Sequence, residues 1–142
     1  MEERRKSLRR HGCRALSAAA VAGVLLCSGA AVAQSCDLPP GTRVESPRHA
    51  LTYRTRPAKI AVGEHFMLEL SVCAKEGAKL PERVKLDATM PEHRHGMNYR
   101  PTLRLLAPGR YVSEGWMFHM PGRWEFIFDL GGERLTDSVR IE

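Results

Sequence analysis

Three segments of this chain alternate apolar and polar residues with a period of two. In residues 65–73 (HFMLELSVC), Phe66, Leu68, Leu70 and Val72 oppose Met67, Glu69 and Ser71. In residues 83–90 (RVKLDATM), Val84, Leu86, Ala88 and Met90 oppose Lys85, Asp87 and Thr89. In residues 124–130 (WEFIFDL), Trp124, Phe126, Phe128 and Leu130 oppose Glu125, Ile127 and Asp129. A strand that buries one face produces this pattern, because successive side chains point to opposite sides of the sheet. Less regular strand candidates cover 50–55, 99–106, 110–118 and 134–141. Turn signals separate them at Val62-Gly63, Lys75–Pro81, Pro108-Gly109, Pro121-Gly122 and Gly131-Gly132. No segment after residue 33 sustains a 3.6-residue period, and no internal repeat or low-complexity tract follows it. About seven short strands in roughly 100 residues predict an all-β fold, an immunoglobulin-like antiparallel β-sandwich.

The N-terminal third follows a different rule. Residues 1–14 (MEERRKSLRRHGCR) are basic, and residues 15–33 (ALSAAAVAGVLLCSGAAVA) are apolar and rich in small side chains. The run ends in Ala31-Val32-Ala33. A basic head, an apolar middle and a small-residue exit are the three parts of a secretory signal peptide. Residues 1–33 are therefore read as a cleaved leader. The competing reading is a membrane anchor of borderline length, diluted by Ala and Gly. Arg9-Arg10 also admits twin-arginine export, although the usual hydrophobic pair does not follow it. Leu26 before Cys27 is too bulky for lipoprotein processing.

Setting the leader aside changes the charge balance. The chain carries 22 Lys+Arg and 16 Asp+Glu, of which six and two fall in residues 1–33. The remaining 109 residues hold 16 against 14, a net of +2. The basic excess belongs to the leader, so no nucleic-acid partner is expected. No second hydrophobic span follows, and the product is expected in the periplasm or secreted, with no membrane span after cleavage.

Cys36 and Cys73 remain as an even pair in an oxidising compartment and are expected to form a disulfide. The bridge would tether segment 34–47 to a domain spanning 48–142 and contribute about 4 kcal/mol through loop closure. The competing reading is a pair of thiolate metal ligands near the histidines.

Two windows carry the chemistry, MPEHRHGM (90–97) and MFHMPGRW (117–124). They contain His93, His95 and His119 with Met90, Met97, Met117 and Met120, three of five histidines and four of five methionines after residue 33. His93, His95 and Met97 stand at i, i+2 and i+4, which in an extended segment share one face. Pro91 ends the preceding strand, and Gly96 relaxes the backbone. If strand 110–118 pairs with the strand ending at Met90, His119 meets the other two histidines at one end of the sandwich. Imidazole with thioether favours copper, as Cu(I) or Cu(II), over zinc or magnesium. The primary metal candidates are His93, His95, Met97 and His119, with Met120, Met117 and Met90 further candidates. Each also has a plain structural reading. Met90 continues the core phase of its strand, Met117 and Met120 flank Phe118 as packing residues, and His119 alone fits a hydrogen-bonded structural role. His49 and His65 are isolated and read as surface residues. No Ser/His/Asp order, phosphate loop or reduced Cys/His pair points to an enzyme.

Residues 87–126 resemble the YtkA-like domain, related to FixH-like proteins. The shared elements are Met90-Pro91, His93, His95-Gly96-Met97, then Gly109 and Tyr111, then His119-Met120-Pro121-Gly122 and Trp124. The resemblance covers about residues 48–142. It implies an exported or membrane-tethered β-sandwich linked to copper handling and respiratory oxidase assembly, with an envelope metalloprotein or oxidase assembly component as partner. Unlike FixH-like relatives, this chain is expected to lose its hydrophobic segment on export. The expected role is therefore copper binding or delivery. The alternative is a non-catalytic immunoglobulin-like structural or interaction module of the envelope.

Overall fold

A computed structural model describes residues 36–142, and the leader and its cleavage point lie outside them. The described residues form nine strands and no helix: β1 (Thr42–Glu45), β2 (His49–Arg56), β3 (His65–Ala74), β4 (Lys85–Met90), β5 (His95–Gly96), β6 (Thr102–Ala107), β7 (Arg110–Met117), β8 (Gly122–Asp129) and β9 (Arg134–Ile141). A five-stranded sheet runs β1-β2-β3-β7-β6 and a four-stranded sheet runs β5-β4-β8-β9. Every pair is antiparallel. The seven expected strands are all present, and β1 and β5 are added. Both are too short to show a period. β1 also puts Thr42–Glu45, the described strand of segment 34–47, inside the five-stranded sheet. Cys36 and Cys73 sulfurs lie 2.04 Å apart, at disulfide distance. Among the described residues, no helix is long and apolar enough to cross a membrane.

The alternation in sequence sets the core. Phe66, Leu68, Leu70 and Val72 of β3 face Trp124, Phe126 and Phe128 of β8, with Ala88 and Met90 of β4 beside them. Each buried Phe or Leu contributes about 1.5–3 kcal/mol relative to exposure. The period fails at Ile127, which occupies a polar position yet is buried. β8 is an inner strand, and Ile127 stands between Asp87 of β4 and Thr136 of β9, whose side chains shield it on the outer face. Tyr53 ties the two sheets, its hydroxyl donating to the Asp137 carboxylate. Burial, and then that carboxylate, push the Tyr53 hydroxyl well above its ordinary range.

A β-bulge in β7 reverses its phase. His65 pairs with Met117 and Phe66 with Trp116, but Leu68 pairs with Ser113. Glu114 and Gly115 therefore oppose Met67 alone. Gly115 supplies the left-handed φ of 86° that the bulge requires. Ser113 anchors it, donating to the Thr102 carbonyl at 2.6 Å and accepting from Trp116 Nε1 at 2.8 Å. Unbroken alternation would place Met117 on the core side with Ser113. The extra residue turns Trp116 and Phe118 inward and Met117 outward.

At the end of the sandwich where β2 begins, the structure corrects the reading of His49 as a surface residue. His49 is only 3% exposed. Its Nδ1 lies 2.6 Å from Glu133 Oε2, and its Nε2 donates to the Lys79 carbonyl at 2.9 Å. Ser46 Oγ donates to the same Glu133 oxygen, and Arg48 lies 3.4 Å from the other. Three loops converge here, which no local pattern announces. His65 is exposed, as expected.

Candidate metal centre

The stretch after Met90 makes a tight reversal. His93 N–H donates to the Met90 carbonyl at 3.1 Å and Arg94 N–H to that of Pro91 at 3.3 Å. Arg94 adopts a left-handed φ of 55°, uncommon for a residue with a Cβ. The chain then returns as β5 against the end of β4, Thr89 opposite Gly96 and Met90 opposite His95. Thr89 Oγ1 donates to the His95 carbonyl at 2.9 Å, and Met97 N–H to that of Ala88 at 3.3 Å. His93, His95 and Met97 are therefore not one extended face. His93 stands exposed on the turn, while His95 and Met97 are half-buried against the sandwich end.

The second window arrives from the other sheet. The expected pairing of 110–118 with 83–90 does not occur: β7 pairs with β3 and β6, and β4 with β8 and β5. His119 nonetheless meets His95, because the β7–β8 connection crosses between the sheets at the end where β4 turns. Ring centroids are 5.2 Å apart for His95 and His119 and 5.9 Å for His93 and His95. The fully buried Trp124 forms the floor, 5.9 Å from His95 and 5.4 Å from His119, both edge-on. Phe118 stacks on Trp124 at 4.4 Å, and Trp124 Nε1 donates to the Met120 carbonyl at 3.0 Å. Sequence reasoning counted Trp124 as a core residue and missed this role. The signal was its place five residues after His119.

Two observations bear on whether these residues fit a metal. His95 Nδ1 lies 3.0 Å from the Gly96 carbonyl, which can only accept, so Nδ1 carries the proton and Nε2 keeps its lone pair. Metal-binding histidines are oriented in this way. His119 Nδ1 is, among the described residues, the one buried side-chain nitrogen or oxygen without a hydrogen-bond partner. Such an orphan costs about 1–3 kcal/mol, and its lone pair is what a metal would accept. Two imidazoles binding one ion at about 2.0–2.1 Å, at right or tetrahedral angles, have centroids about 4.5–5.2 Å apart. The His95–His119 separation fits that range, and the His93–His95 separation fits only a wider angle between trigonal and linear.

Among the described residues, no three His, Cys, Asp or Glu side chains converge as a metal-holding group. The three histidines form a row with His95 in contact with both neighbours, not a closed triangle. The thioethers are divided. Met97 and Met120 are half-buried against the core edge at this end. Met90 is fully buried, and its Cε methyl lies where a Cβ on Gly122 would fall. Met117 points to the outer face, opposite His65. Met90 is directly opposite His95 with its side chain in the core, Met117 lies on the outer face of the other sheet, and Cys36 and Cys73 lie near Ala74 at the other end of the sandwich. The chain matches no family model, no curated protein and no solved structure.

Proposed function

We propose that this protein binds copper and delivers it outside the cytoplasm, using His95 and His119 as its central pair. His93, Met97 and Met120 are the adjacent donors. The observation that carries the reading is the buried, partnerless Nδ1 of His119 beside a His95 ring whose Nε2 lone pair is free. Imidazole with thioether suits copper in both oxidation states better than it suits hard cations. The role is binding and not catalysis. An incomplete donor set with one exposed histidine fits cargo that must be handed on, to an envelope metalloprotein or an oxidase assembly component. The leader-like residues 1–33, a periplasmic or secreted location and membership of the YtkA-like family belong to the same proposal.

The test is titration with Cu(I) and with Cu(II), repeated on His95→Ala and His119→Ala. Binding in the micromolar range or tighter, with one equivalent lost in both variants while the fold persists, supports the reading. Absence of such binding, or equal binding by the variants, overturns it.

The row's packing favours a second reading, a structural or interaction module of the envelope. Both rings stand edge-on against Trp124, which is stacked on Phe118 and bonded to Met120. If the histidines only finish this cap, their alanine variants lose stability equally with and without copper.

A further inference from the structure

Met67 lies outside both His/Met windows, and Met117 is turned away from the histidine row. The structure brings the two together. His65 and Met67 are two apart on β3, so they share its outer face, with Phe66 and Leu68 between and beyond them pointing into the core. Met117 is directly opposite His65 on β7 and also points outward, because the bulge sends Trp116 and Phe118 inward. Directly opposed residues have Cβ atoms about 4.5–5.5 Å apart, and residues two apart on a strand are separated by about 6.5 Å.

Exposure and charge complete the patch. His65 is exposed, and Met67 and Met117 are half-buried. The Tyr99 ring stands 6.1 Å from that of His65 at 72°, an aromatic wall on one side. Arg56, opposite Met67 on β2, shares the Glu69 carboxylate with Arg54, so one positive charge stays in excess beside the patch, which favours neutral thioether and imidazole donors for a monovalent ion over a divalent one.

We propose that His65, Met67 and Met117 form a second, solvent-facing site for a monovalent soft metal ion, with one imidazole and two thioethers as donors. Thioether sulfur selects soft ions and needs no deprotonation, so the site would tolerate acid better than a thiolate site. The argument rests on strand register and does not depend on the histidine row.

Ag(I) is the probe, followed by methionine-methyl NMR and by binding stoichiometry on the purified protein. Ag(I) is expected to shift the Met67 and Met117 methyl resonances, and to do so equally in His95→Ala/His119→Ala. Met67→Leu/Met117→Leu, a swap of similar volume that the fold should accept, is expected to lose one equivalent of Ag(I). His65→Ala is expected to weaken that equivalent by about tenfold or more. Shifts confined to Met97 and Met120 would overturn this site while leaving the histidine row standing. Shifts confined to Met67 and Met117 would support this site and leave the histidine row to the copper titration. Unmoved Met67 and Met117 methyls, or full stoichiometry in the double leucine variant, would reduce the patch to ordinary packing.

Discussion

His95 and His119 lie with ring centroids 5.2 Å apart although the strands that lead to them belong to different sheets. The contact is made across the sandwich end and not along a strand ladder. Both rings share one aromatic floor, so displacement of Trp124 would move both.

Metal should therefore stabilise the fold through this pair. At an ion concentration 100 times Kd, a ligand that binds only the folded state adds about 2.7 kcal/mol. For a domain of this size that raises Tm by several degrees. Cu(II), which the thioether-rich patch of His65, Met67 and Met117 does not favour, is expected to raise the Tm of the native protein and to leave His119→Phe unmoved. Without metal, His119→Phe should match or exceed the native Tm, because it removes a buried nitrogen with no partner. Differential scanning calorimetry with and without copper checks both halves.

Arg94 holds a left-handed backbone between the two loop histidines, at φ 55°. That conformation costs an ordinary residue about 1–2 kcal/mol, and glycine avoids most of it at some cost in chain entropy. Arg94→Gly is expected to stabilise by up to about 1 kcal/mol, and Arg94→Val to destabilise by at least as much. Urea unfolding midpoints would reveal the opposite signs.

Gly122 carries the Met90 methyl where its own Cβ would be, and has φ 127°. Gly122→Ala is expected to destabilise by about 1–3 kcal/mol, through a backbone that a Cβ strains at this φ and through contact with the Met90 methyl, and Met90→Ala by about 2–5 kcal/mol through its cavity. Together they should cost less than their sum, with a coupling of about 0.5–3 kcal/mol. A double-mutant cycle in denaturant measures this, and additivity would show that the two residues do not share that space.

Glu133 gives a pH dependence with a defined sign. Burial pushes its carboxyl up, but hydrogen bonds from His49, Ser46 and Arg48 outweigh burial and hold it at about 2, against an ordinary 4.5. A carboxyl lowered by folding stabilises above its unfolded value and loses that contribution as pH falls through its folded value. The native protein should therefore be more stable than Glu133→Gln at neutral pH. The difference should shrink between about pH 4.5 and 2. Thermal melts of both proteins across that window test it, and a gap that widens on acidification would contradict the assignment.

The sequence by itself determined the all-β class, seven of the nine strands, the core rows of β3 and β8, and the place of Met90 inside. These are local properties, because alternation over six or more residues decides which face is buried whatever the partner strand. The same reasoning brought His119 to His93 and His95 only on the condition that strand 110–118 pairs with 83–90, and that pairing does not occur. Tertiary structure decided the rest. Which strands pair depends on contacts far apart in sequence, so the route by which His119 reaches His95 was misread. A single inserted residue at Glu114-Gly115 reversed the phase of β7 and moved Met117 from the expected site to the face of His65 and Met67. The burial of His49 required three loops to converge on it, and no window of sequence contains all three.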